Sequence, residues 1–61
     1  MTPNSRIYQA WQNSGLTQPE YAKRLGVPIA TLRNWFRPED NQAYRNAPES
    51  VARLAEILGE E

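Results

Sequence analysis

The stretch Leu16-Thr17-Gln18-Pro19-Glu20-Tyr21-Ala22-Lys23-Arg24-Leu25-Gly26-Val27-Pro28-Ile29-Ala30-Thr31-Leu32-Arg33-Asn34-Trp35 holds the densest set of helix signals in the chain. Thr17 and Glu20 stand three apart as a capping box, in which each side chain accepts a hydrogen bond from the other residue's backbone N–H. Leu16 before the cap and Tyr21 after it are spaced for a hydrophobic staple. Pro19 falls in the first turn, where its missing N–H matters least. Tyr21, Ala22 and Leu25 then make a buried stripe, and Gly26 offers a left-handed stop. Pro28 pushes Val27 towards an extended conformation, after which Ile29, Leu32, Trp35 and Phe36 resume helical spacing. Two helices of about eight residues, one ending at Gly26 and the next covering roughly 28–36, meet across a turn of two or three residues, the length pattern of a helix-turn-helix.

Outward from that motif, Ile7, Ala10 and Trp11 mark an earlier helix over roughly 3–13, with Thr2 as its cap, Pro3 at its first position and Gly15 to end it. Residues 37–45 carry no apolar period and read as a loop in which Tyr44 is the only large apolar group. Asn46, Pro48 and Glu49 repeat the cap, proline, glutamate order of Thr17, Pro19 and Glu20, so a last helix is expected over about 47–58, ending near Gly59. The fold class expected is all-α, a single compact domain of four helices, or five, spanning 1–61 with the motif at 17–36.

The chain has 61 residues, no cysteine and no histidine. A disulfide framework and a thiolate metal site are therefore excluded, and the usual general base is missing, so an enzyme is not expected. No cofactor is called for, and so small a core leaves little room for a ligand pocket. No run nears the roughly 18 apolar residues of a membrane span, and nothing resembles a secretory leader, which makes the cytoplasm the expected location. The formal net charge is zero, yet the charges are sorted. Arg6, Lys23, Arg24, Arg33 and Arg37 against Glu20 give +4 over residues 1–37, while residues 38–61 total −4. One surface is thus suited to a polyanion and another is not, unless the two are simply solvated faces of opposite sign.

The segment from Leu16 to Trp35 strongly resembles the DNA-binding motif of the Cro and λ-repressor-like helix-turn-helix family, a match of about twenty residues. The later Tyr44-Arg45-x-Ala47-Pro48, with the helix after it, is similar on fewer residues to the small anti-CRISPR-associated repressors of phages. The resemblance implies a sequence-specific regulator of transcription whose second motif helix lies in the major groove of double-stranded DNA. By position, Ile29, Ala30, Arg33 and Asn34 then face base edges, and Gln18 grips a phosphate beside the helix amides. Arginine suits guanine O6 and N7, and asparagine suits adenine N6 and N7. Arg37 and Arg45 are candidate backbone contacts. Pro28 and Ile29 depart from the family, which often has a hydroxyl cap and a polar reader there. Fewer side chains are then left for direct readout, and DNA shape supplies the remainder.

Several residues have two readings. Ile29 meets a thymine methyl or joins the core with Leu32 and Phe36; Tyr44 anchors the loop or sets its hydroxyl against a phosphate. Trp35 and Phe36 fit the core better than a stacking platform for single strands. Glu39 and Asp40 fit a solvated loop better than a metal site. Val51, Leu54, Ile57 and Leu58 give the last helix more apolar surface than one small core absorbs, which predicts a homodimer seam and a near-palindromic operator. The alternative is an antitoxin or similar module whose acidic, apolar C-terminal half binds a protein partner.

Overall fold

A computed structural model describes residues 2–59, and four helices follow one another along them: α1 (Pro3–Ser14), α2 (Gln18–Leu25), α3 (Ile29–Phe36) and α4 (Glu49–Gly59). Each boundary has a local cause. Thr2 Oγ1 accepts the Ser5 N–H at 3.2 Å to open α1, and Gly15 closes it at φ 74°. The short link to α2 is stitched by side chains. Trp11 Nε1 donates to the Leu16 carbonyl at 2.9 Å, and Ser14 Oγ accepts the Leu16 N–H at 3.1 Å.

The capping box of α2 is complete, with the Glu20 N–H on Thr17 Oγ1 at 3.3 Å and the Thr17 N–H on Glu20 Oε1 at 3.2 Å. Gly26 ends this helix at φ 76°, a conformation that costs an L side chain strain. Its successor Val27 donates to the Ala22 carbonyl at 3.0 Å, the six-to-one bond of a Schellman stop. α3 starts one residue later than the spacing predicts. Pro28 is its extended cap residue, φ −62° and ψ 146°, and no side chain caps the helix.

Of the four or five helices expected, four are present among the described residues, and only the start of the last one needs correcting. The chain from 37 to 48 forms turns, with Asn41 N–H on the Pro38 carbonyl and Tyr44 N–H on the Asn41 carbonyl, both at 3.0 Å, so among the described residues no fifth helix appears. The last helix begins at Glu49, because Asn46 is not its cap. The Ala47 N–H is held instead by the side chain of Asn4 at 2.9 Å, which keeps residues 45–47 out of the helix. Pro48 takes the cap position, its carbonyl accepting from Val51 and Ala52 at 3.2 and 3.3 Å.

The core is built from Ile7 of α1, Tyr21, Ala22 and Leu25 of α2, Leu32 and Trp35 of α3, Ala47, and Ala52 and Ala55 of α4. α1 lies mainly along α4, and α2 mainly along α3. The face that α4 turns inward is thus made of alanines, not of its larger residues. Val51 and Leu58 flank that face and pack partly on the core, whereas Leu54 and Ile57 point outward, Ile57 being 57% exposed. No helix among the described residues is long and apolar enough to cross a membrane.

Asn4 is buried, and both its amide nitrogen and its amide oxygen carry hydrogen bonds. Its Nδ2 donates to the Trp35 carbonyl at 3.1 Å and to the Arg45 carbonyl at 2.7 Å, while its Oδ1 takes the Ala47 N–H. The Arg45 N–H in turn reaches the Asn34 carbonyl at 3.4 Å. In the last turn of α3 the Trp35 carbonyl is therefore satisfied by α1 and the Asn34 carbonyl by the following loop, with no glycine cap. This arrangement fixes the end of α3 relative to α1.

Candidate nucleic-acid interface

α3 presents two unlike sides. Leu32 and Trp35 are buried, with Ile29 and Phe36 packed partly against them, while Ala30, Arg33 and Arg37 stand exposed at helical spacing. Arg33 and Arg37 carry the positive charge of this outer side. Asn34 lies between the two sides, half-buried, and its Oδ1 accepts from Arg37 Nε at 3.2 Å. A bidentate bond from Asn34 to adenine needs that same oxygen, so such a contact has to share it or displace Arg37.

The other expected residues fall at both ends of this helix pair. Ile29 is partly buried on the core, which favours the packing role over a free apolar reader. Gln18, half-buried, opens α2 immediately after the Thr17 cap. Beside it, Glu20 is turned back on Thr17, whose hydroxyl and then backbone N–H hold the Glu20 carboxyl below its ordinary range. Arg45 is exposed and wraps its own loop, Nη1 donating to the carbonyls of Gln42 at 3.2 Å and Tyr44 at 2.9 Å. Tyr44 is half-buried in a shallow recess with Thr2, Trp35 and Arg37. Trp35 is buried, which leaves no face for stacking on a base, and Phe36 closes a three-ring cluster with Tyr8 and Trp11 at centroid spacings of 5.1 to 5.4 Å. Glu39 and Asp40 sit exposed in the loop.

Arg6 does not belong to the basic surface, although it was counted in the +4 of residues 1–37. Its guanidinium spans Glu49, at 2.5 Å, and Glu56, clipping α1 to α4. The two carboxylates raise the Arg6 pKa, the bond to Glu56 first, and Arg6 holds the Glu49 carboxyl low by its hydrogen bond. Over residues 16–37 the formal charge is +3, from Lys23, Arg24, Arg33 and Arg37 against Glu20, and of these Arg33 and Arg37 lie on the exposed side of α3.

A half-open cleft of about 640 Å³ lies where α1, α2 and α4 diverge, and Tyr21 is part of its wall. The Tyr21 hydroxyl is buried without a hydrogen-bond partner, and that burial raises its pKa. Neither this hydroxyl nor the Asn4 clasp was singled out from sequence. Both depend on chain segments distant in sequence, and an asparagine in a first helical turn is by itself unremarkable.

The chain matches no family model, no curated protein and no solved structure.

Proposed function

We propose that this chain is a sequence-specific double-stranded DNA-binding regulator of transcription, acting in the cytoplasm as a homodimeric repressor that lays α3 in the major groove. The observation that carries the reading is the outer side of α3, where Arg33 and Arg37 stand exposed opposite the buried Leu32 and Trp35. The resemblance of residues 16–35 to the Cro and λ-repressor-like motif supports it, as does the turn at Gly26 between two eight-residue helices.

In this reading Arg33 reads a base edge, Asn34 assists within the limit set by Arg37, and Ala30 allows close approach. Gln18, Arg37 and Arg45 meet phosphates. Leu54 and Ile57, with the outer edges of Val51 and Leu58, form the twofold seam. Such a dimer sets two α3 helices about 34 Å apart on a near-palindromic operator.

A gel-shift titration against the DNA upstream of the gene tests this. Arg33→Ala is expected to weaken specific binding by about 1 to 3 kcal/mol while leaving non-specific binding in place. Equal affinity of the variant and the native chain for an operator would remove Arg33 as the reader. The outward Leu54 and Ile57 also favour a second reading, an antitoxin-like module with a protein partner on α4. A second protein purifying with the chain in fixed proportion supports that reading, whereas a steep salt dependence of DNA affinity supports the first.

A further inference from the structure

Pro38 decides where α3 stops. A residue before proline is pushed out of the helical region, and Arg37 accordingly ends α3 in an extended conformation, φ −72° and ψ 156°. An arginine set there has left the helical turn that would otherwise aim its side chain. It is brought back by Asn34, whose Oδ1 accepts from Arg37 Nε at 3.2 Å. Asn34 is itself half-buried, and its carbonyl takes the Arg45 N–H at 3.4 Å, so this acceptor stands on backbone tied to the following loop.

The chemistry of the partner matters. Arg6 is held by the carboxylates of Glu49 and Glu56, which offset its charge. Arg37 is held by a neutral amide, which orients the guanidinium and leaves its charge available to an anion. The bond engages Nε, so the two terminal nitrogens still present donors. A guanidinium already oriented loses less rotamer freedom on meeting a phosphate than a loose one does. In the same arrangement the Asn34 oxygen is engaged, and that oxygen is the atom adenine N6 would need.

We propose that Asn34 is a positioning residue for Arg37: its oxygen holds the guanidinium on the outer side of α3 with the terminal nitrogens towards a phosphate, and its amide reads no adenine. The inference rests on the DNA-binding reading and narrows it. Among Ala30, Arg33, Asn34 and Arg37, base-specific recognition then falls to Arg33, whose donors suit guanine O6 and N7. The share of the operator that α3 specifies is a guanine, and no adenine is specified through Asn34.

Duplexes selected from a randomised pool by the native chain, then titrated against Asn34→Ala, Arg37→Ala and the double variant, test this. Asn34→Ala is expected to bind the selected operator about three- to tenfold more weakly, the equivalent of one ordinary hydrogen bond, and to select the same bases at every position. In the Arg37→Ala background the same change is expected to cost nothing, because the side chain it serves is gone. Side-chain NMR of the DNA-free chain gives a readout apart from binding. The Arg37 Nε–H resonance is expected to move in Asn34→Ala while the backbone amides of Leu32 and Trp35 stay in place. An adenine preference lost in Asn34→Ala, or an equal penalty with and without Arg37, would overturn the positioning role and leave the DNA reading intact. An Arg37 Nε–H resonance indifferent to Asn34→Ala would overturn it as well. A native chain that enriches no duplex would remove the DNA reading, and this role with it, even where the NMR shift reports the bond.

Discussion

The side chain of Asn4 and the backbone of Ala47, forty-three positions apart, are joined by a 2.9 Å hydrogen bond that sets where α4 begins and ties the loop before it to α1. The same amide group reaches the Trp35 carbonyl at the end of α3. One side chain in the first turn of α1 thus determines how the proposed DNA-facing helix is held.

Replacing Asn4 by Ala strands a buried N–H and two carbonyls, and a loss of about 2 to 4 kcal/mol in unfolding free energy is expected from urea denaturation. Asn4→Asp is expected to be no better. It keeps the acceptor for Ala47 but sets a carboxylate against the carbonyls of Trp35 and Arg45. A loss below about 1 kcal/mol in both variants would show that water replaces the clasp.

Gly26 has open space where a Cβ would stand, so substitution there meets backbone strain and no clash. Gly26→Ala is expected to cost about 1 to 2 kcal/mol, and Gly26→Asn less, because asparagine tolerates the left-handed region better. Thermal melts of the two variants check the order. Asparagine proving as costly as alanine would mean that the side chain meets something beyond its own backbone.

Acid sensitivity follows from Glu20 and Glu49, whose folded pKa values both lie below the ordinary carboxylate value, the first through Thr17 and the second through Arg6. Depressed values mean stability that is present above the unfolded pKa, near 4.5, and is lost as the pH falls through the folded values. With no histidine in the chain, thermal midpoints are expected to stay level between about pH 5 and 8 and to drop below about pH 4.5. The buried Tyr21 hydroxyl acts at the other end. Its raised pKa gives stability that is full below the unfolded value of 10.0 and is lost as the pH climbs through the folded one. Glu20→Gln and Glu49→Gln are each expected to flatten the acid limb, and an unaltered limb in both would assign it elsewhere.

On α4, Ile57→Lys places a charge on an exposed apolar site without touching Ala52 or Ala55. Sedimentation equilibrium is expected to show the native chain as a dimer and this variant shifted to monomer, with the helical circular dichroism retained. A native chain that stays monomeric at high concentration would separate the DNA reading from its twofold operator.

The helix signals legible in the residues alone were the short-range ones. Thr17 with Glu20, Thr2 as the cap of α1, and Gly15 and Gly26 as left-handed stops all act within one turn, where chain geometry leaves few alternatives. The apolar spacing of α3 likewise dictates that Leu32 and Trp35 turn in and Arg33 and Arg37 turn out. Tertiary structure decided the remainder, because it rests on partners far along the chain. It assigned Asn4 to α3 and the 45–47 segment, drew Arg6 away from the basic surface to Glu49 and Glu56, and gave the inner face of α4 to Ala52 and Ala55. It also left the Tyr21 hydroxyl unpaired beside a cleft. Local periodicity ranks side chains by hydrophobicity and angle, whereas the distance between two packed helices is set by which side chains are small enough to lie between them.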